Sequence, residues 1–220
     1  LSFNTGTRVF SGTPTATADY TLKVTASDGS LSTSTTFTLS ISGKITPTIT
    51  WSTPAAITYG TALSSTQLNA AATSGGNSVA GSFSYSPVSG TILSAGNQTL
   101  SVTFTPSDTT AYNSASASVV LVANPKALTG SFAVSDKVYD ATTAATVTGT
   151  PTLTGKVGSD DVGLSVTVAA FDNKNVGTGR TVTATTYALT GTTKDNYSLA
   201  SATALTANIT KAPLTISGLA

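Results

Sequence analysis

The sequence predicts an all-β protein built of small β-sandwich domains in tandem, joined by short linkers. Three observations carry that prediction. Apolar and polar residues alternate along much of the chain, the period of strands with one face turned inward. Clusters of Gly, Asn, Asp and Ser break the alternation about every 8–12 residues, the spacing of a sandwich or barrel. The composition is that of a strand surface: 46 Thr and 30 Ser in 220 residues, with 9% charged residues against about 25% in typical soluble domains. Thr is a good strand former that keeps an outward face soluble without charge.

In chain order, the first long alternating run is Tyr20-Thr-Leu-Lys-Val-Thr-Ala26. Ser27-Asp-Gly-Ser30 turns it into Phe37-Thr-Leu-Ser-Ile41. The same pattern returns in Phe83-Ser-Tyr85, Leu100-Ser-Val-Thr-Phe-Thr105 and Leu164-Ser-Val-Thr-Val168. Thr73-Ser-Gly-Gly-Asn77, Ser94-Ala-Gly-Asn97 and Gly177-Thr-Gly179 read as turns. Residues 62–72 lack a clean helical period and read as strand and loop. The longest apolar stretch, Val119 to Ala123, suits a strand and is far short of the roughly 18 residues of a membrane-spanning helix.

These runs fall into segments. Residues 1–43 hold about three strands and residues 44–124 about seven. Residues 125–210 form a third domain, and residues 211–220 are the first strand of a following repeat. The linkers are Ser42-Gly-Lys-Ile-Thr-Pro47 and Ala123-Asn-Pro-Lys126, where proline favours extended backbone and interrupts sheet pairing. The last boundary rests on an echo. Lys126-Ala-Leu-Thr-Gly130 near the start of the third segment returns as Lys211-Ala-Pro-Leu-Thr-Ile-Ser-Gly218, about 85 residues later, the size of one sandwich domain. The chain therefore reads as a window on a longer array.

Composition also excludes chemistry. Cys, Met, His and Glu are all absent, and all nine acids are Asp. No thiol chemistry, disulfide, Ser-His-Asp triad or imidazole ligand is available. With a net charge of +1 and a pI near 8.1, the chain has no basic stripe for nucleic acid. A mean hydropathy of +0.19 with strong alternation argues for folded structure over disorder.

No catalytic residue is expected. Asp160-Asp161 is the one adjacent acid pair, and Gly158-Ser159 before it favours a solvated turn over acid–base work. The weak calcium candidates are Asp28, Asp136 and Asp140. Calcium takes six to eight oxygens, whereas Asp in Ser-Asp-Gly settings ordinarily forms an Asx-turn, so no cofactor is expected. Lys137, Asp140 and Asn196 are the residue types of a Lys–Asn isopeptide bond, without a motif that joins them. Trp51, Tyr59, Phe83, Tyr85, Phe104 and Tyr112 alternate inward and read as core, not as a sugar-stacking platform. Tyr112 and Tyr197 read as corner tyrosines whose hydroxyls pin a loop.

Three resemblances organise these segments. Leu1-Ser-Phe-Asn4, Phe10-Ser-Gly-Thr-Pro14, Asp19-Tyr-Thr-Leu-Lys-Val-Thr-Ala-Ser-Asp-Gly29 and Thr36-Phe-Thr-Leu-Ser-Ile41 resemble the C-terminal half of the bacterial putative-Ig family, related to cadherin-like domains. Ile49-Thr-Trp51, Ile57-Thr-Tyr-Gly-Thr-Ala-Leu63, Gly81-Ser-Phe-Ser-Tyr85 and Leu100 to Asp108 followed by Tyr112 resemble a bacterial Ig-like repeat of giant surface proteins. Lys137-Val-Tyr-Asp-Ala-Thr-Thr143, Asp172-Asn-Lys-Asn-Val-Gly177, Asn196-Tyr-Ser-Leu199 and Ile209-Thr-Lys211 resemble the repeat family named for its Tyr-Asp-Gly motif. Ala141 stands where that family usually has Gly, a departure that bears on one turn's φ.

The resemblances imply Ig-like sandwiches in large bacterial cell-surface or extracellular proteins, with no shared catalytic residues. The expected function is a non-enzymatic structural segment, a stalk or spacer of an adhesin-like or fibre-forming protein. The alternatives are a self-assembling filament subunit joined by strand exchange, and an adhesive module for a glycan or a protein. Expected partners are neighbouring repeats of the same chain, copies of itself, or a surface glycan or protein ligand. Neither nucleic acid nor membrane insertion is expected of this segment.

Overall fold

The computed structural model describes residues 2–4, 6–12, 16–200 and 204–215. Thr13 and Pro14 of the first motif, and residues 216–220 of the expected last strand, lie outside the described residues. The described chain is all-β, with one 3-10 turn at Lys194–Asn196. Among the described residues no helix is long and apolar enough to cross a membrane.

The first segment gives β1 (Ser2–Asn4), β2 (Val9–Ser11), β3 (Ala18–Ser27) and β4 (Ser32–Ile41). The middle segment gives β5 (Thr48–Thr50), β6 (Ile57–Thr58), β7 (Ala71–Ser74), β8 (Asn77–Ser78), β9 (Gly81–Ser86), β10 (Gly96–Pro106) and β11 (Ala115–Asn124). The third gives β12 (Lys126–Val134), β13 (Lys137–Val138), β14 (Ala144–Ala145), β15 (Val147–Thr154), β16 (Gly163–Phe171), β17 (Gly177–Thr190), β18 (Tyr197–Leu199) and β19 (Leu205–Thr210). Every alternating run named above lies on a strand. Residues 62–72 are loop up to β7, apart from one residue of bridge at Ala62. One turn was misplaced: Gly177-Thr-Gly179 sits inside β17, where the pairing with β19 skips between Gly177 and Arg180. Gly179, at φ +61°, forms a bulge in a continuing strand.

The chain divides into two compact units. Unit 1 comprises residues 1–50, 70–84 and 102–117. Its long hairpin pairs β3 with β4 from Ala18↔Ile41 to Ser27↔Ser32. Tyr20 opposite Leu39 and Leu22 opposite Phe37 put apolar side chains on one face. The amides of Ser30 and Leu31 donate to Asp28 Oδ1 at 2.9 and 2.7 Å and close the hairpin turn. β7 sits between β5 and β8. Phe104 is fully buried, with its ring 4.9 Å from that of Phe83.

Unit 2 comprises residues 51–69, 85–101 and 118–220. Trp51 is buried, donates through Nε1 to Gln67 O at 2.9 Å and meets the Tyr85 ring edge-on at 5.4 Å. From β12 onward two sheets face each other. One has the order β15-β12-β18 and the other β13-β19-β17-β16-β14. Phe132 of β12 packs with Ala169 and Phe171 of β16, Val182 of β17, and Ala207 and Ile209 of β19. A smaller cluster around Leu128, Val162 and Tyr197 takes in Tyr59, Leu153, Val157, Leu189 and Leu199. Burying a Leu or Phe side chain contributes about 1.5–3 kcal/mol, so these inward positions hold the sandwich together.

Candidate functional site

The second cluster carries a polar constellation that joins residues distant in sequence. Its first member is fixed by the backbone. β6 runs parallel to the end of β11, with Ile57 opposite Ala123 and Thr58 opposite Asn124. The next amide, Tyr59 N–H, donates to Asn124 O at 2.8 Å. Gly60 then turns the chain at φ +94°. A Cβ there would stand 2.7 Å from Val157 Cγ2, so a side chain at this position would require Val157 of the 155–162 loop to shift, and the positive φ favours glycine.

That loop carries Asp160. Tyr197 follows the 3-10 turn and opens β18, paired in parallel with Lys126. Its hydroxyl donates to Asp160 Oδ2 at 2.5 Å and accepts from Val157 N–H at 2.9 Å. Tyr59 donates to the same carboxylate oxygen at 2.8 Å. The two rings meet edge-on, 5.2 Å apart at 80°, an arrangement favoured by their quadrupoles. Alongside, Ala95 N–H donates to Asn196 Oδ1 at 2.8 Å. Residues from 59 and 95 are thus tied to residues from 157 to 197 across the break at Pro125.

The electrostatics follow from these bonds. The Tyr197 hydroxyl first, then that of Tyr59, holds the Asp160 carboxyl below the usual range, with Lys156 adding a smaller pull. Tyr197, 6% exposed, is pushed up to about 12, by burial first and by its bond to Asp160 next. The bond to Asp160 also raises Tyr59. Two neutral donors on one carboxylate oxygen make charge-assisted bonds, stronger than neutral ones. The arrangement stabilises a fixed anion. Both hydroxyls hold their protons more tightly than usual.

Asp161, Asp136 and Asp140 each hold donors of their own. Asp161 Oδ2 accepts Thr192 N–H and Oγ1–H, each at 2.9 Å, so the adjacent acids hold different partners, one at a turn and one at the junction. Asp136 accepts Asn208 N–H at 2.7 Å and Nδ2–H at 2.9 Å. Asp140 pairs with Lys137 Nζ at 2.7 Å and accepts the Thr142 amide at 2.9 Å. Those partners, Lys137 first, bring its carboxyl to about 2. Lys137 Nζ also donates to Thr142 O at 3.1 Å and Ala144 O at 3.0 Å and lies 5.8 Å from the Phe171 ring centre. Asn196 bonds elsewhere, so the structure does not join the isopeptide residue types.

The calcium candidates, too, each have donors of their own. Asp28 closes a hairpin of unit 1, and in unit 2 β13 lies between Asp136 and Asp140 with different partners for each. Among the described residues no three His, Cys, Asp or Glu side chains gather as a metal site would require.

Tyr197 pins the 157–160 loop, as read from the sequence. Tyr59 was read as core, and its part in the junction was missed. Its partner Asp160 lies 101 residues away, beyond any local pattern. The available signal was the recurrence of Tyr directly after the short segments Ile57-Thr58 and Lys137-Val138.

Comparison with known families bears on the two ends of the chain. Residues 124–204 match the model of the YDG domain, and residues 1–42 match that of the family described as Putative Ig domain. Both agree with a resemblance to bacterial Ig-like repeats of surface proteins. No curated protein and no solved structure matches the chain.

Proposed function

We propose that the chain is a non-enzymatic structural segment of a long bacterial cell-surface or extracellular repeat protein, a spacer in which successive Ig-like sandwiches stand in tandem and are locked end to end. Asp160 is the observation that carries this reading: its Oδ2 receives hydroxyls from both sides of Pro125. A flexible linker would leave those groups to water, whereas a lock resists bending and transmits force along the array. The use of the other acids supports the same reading. Asp28, Asp108, Asp140 and Asp161 each receive backbone amides of turns or loops, and Asp136 receives that of Asn208 in β19, so these carboxylates serve architecture. Neighbouring repeats are the proposed partners, and nucleic acid is not among them.

Spin labels test the lock, because the chain has no native Cys. Labels at Thr99→Cys and Thr183→Cys, both exposed, report the distance across the junction. One narrow distance distribution is expected in the parent chain. Asp160→Asn should broaden it without loss of strand content by circular dichroism. A parent distribution as broad as that of the variant would sink the spacer reading.

A further inference from the structure

The first junction has a counterpart at the far end of the third segment. β13 runs parallel to the end of β19, with Lys137 opposite Ile209 and Val138 opposite Thr210. The next amide, Tyr139 N–H, donates to Thr210 O at 2.9 Å. This repeats the arrangement of Ile57, Thr58 and Tyr59 against Ala123 and Asn124. In both places a tyrosine follows a two-residue parallel strand and is held by the last carbonyl of its segment's last strand. The surroundings differ. Tyr59 is covered by Asp160 and Tyr197, whereas Tyr139 is 38% exposed beside Val138, 52% exposed.

The chain beyond Thr210 supplies a second observation. Lys211-Ala-Pro-Leu-Thr215 repeats Lys126-Ala-Leu-Thr129. Leu128 is fully buried in the core of its sandwich, but its counterpart Leu214 is 96% exposed, and residues 211–215 pair with no strand. Leu128 shows where a Leu at this position of the repeat lies when its sandwich is present, in the core. Lys137 near Tyr139 is already paired with Asp140, so the end of the sandwich presents a hydroxyl donor and apolar surface.

We propose that Tyr139 is a docking residue for a following sandwich of the same type as residues 125–210, one whose first strand contains Leu214, and that an Asp and a Tyr of that sandwich take the places of Asp160 and Tyr197. The Tyr of the Tyr-Asp motif is then a junction residue. The position after it differs between the two junctions, Gly60 in one and Asp140 in the other. The Asp140 carboxylate is engaged by Lys137 and Thr142 and leaves the hydroxyl of Tyr139 to the incoming acid. The inference rests on the reading of the first junction as a lock.

Tyrosine nitration by tetranitromethane, located by peptide mass spectrometry, tests it in two chains. One is the 220-residue chain. The other carries a second copy of residues 126–210 in place of the tail, with the copied Leu128 in register with Leu214, and with Tyr139→Phe and Tyr187→Phe in the added copy. Tyr59 should be protected in both. Tyr139 should react readily in the first and at least about fivefold more slowly in the second, the protection expected of a group open only part of the time. Asp160→Asn in the added copy should restore its rate. If the in-register copy does not fold, the same copy is carried on a Gly/Ser linker beyond Ala220. A folded copy that leaves Tyr139 as reactive as before, with Tyr59 protected, overturns this inference alone. Tyr59 reacting as fast as Tyr139 in the 220-residue chain overturns the lock and the inference together.

Discussion

Ala141 occupies backbone that suits glycine. Its φ is +66°, and a left-handed conformation costs an L-residue roughly 1–2 kcal/mol. The turn keeps it because Lys137, Asp140 and Thr142 close around it with short polar bonds. Ala141→Gly removes the strain and adds freedom to the unfolded chain, which offsets part of the gain. The variant should be more stable by about 0.5–1 kcal/mol, read as a higher midpoint in urea with an unchanged slope. An equal or lower midpoint would show that the turn carries no such strain. The departure from the Tyr-Asp-Gly motif was visible in the sequence, and it marked the one residue of the motif where a Cβ is disfavoured.

Strands were legible because burial on one face writes a period of two into the residues, as in Tyr20 to Ala26 and Leu100 to Thr105. The bulge in β17 was not, since Gly177-Thr-Gly179 has the composition of a turn. What keeps the strand going is remote: Gly179 N–H donates to Asn208 Oδ1 at 2.9 Å, and Asp136 holds Asn208 in place. β6 and β13 were missed for another reason, because two residues carry no period. The glycine that opens β9 has a packing role of its own. A Cβ at Gly81 would run into Thr105 O and stand 2.5 Å from Phe104 Cε2 and Cζ. Neither the backbone carbonyl nor a fully buried ring can withdraw. Gly81→Ala should therefore destabilise by about 1–3 kcal/mol, the cost of overpacking, with a lower thermal midpoint in calorimetry. The same substitution at Gly75, where nothing lies within 4 Å but φ is +57°, separates crowding from backbone strain.

At the scale of the whole molecule, the junction ties pH to stability. Asp160-Asp161 was legible as a turn, but its role depends on tyrosines that only the folded chain brings to it. Tyr197 titrates near 12 when folded and near 10 when unfolded. Between those values the folded state holds a proton that the unfolded state has lost. The stabilisation is therefore complete below about pH 10 and falls away as pH rises toward about 12. Asp160 works in the opposite direction: its carboxyl is depressed, so its contribution is present above the ordinary value near 3.9 and fades as acid protonates it. The junction is thus strongest across the neutral range and is weakened at both ends by different groups. Urea denaturation at pH 8, 10 and 11.5 tests the alkaline arm. The parent chain should lose stability steeply between pH 10 and 11.5. Tyr197→Phe should start lower at pH 8, because Asp160 and Val157 N–H lose a partner, and then decline less over the same interval. Other tyrosines and lysines titrate in both chains, so the difference between the two slopes isolates Tyr197. Parallel slopes would mean that its proton is no more tightly held in the folded chain than in the unfolded one, and that the bond to Asp160 does not persist in solution.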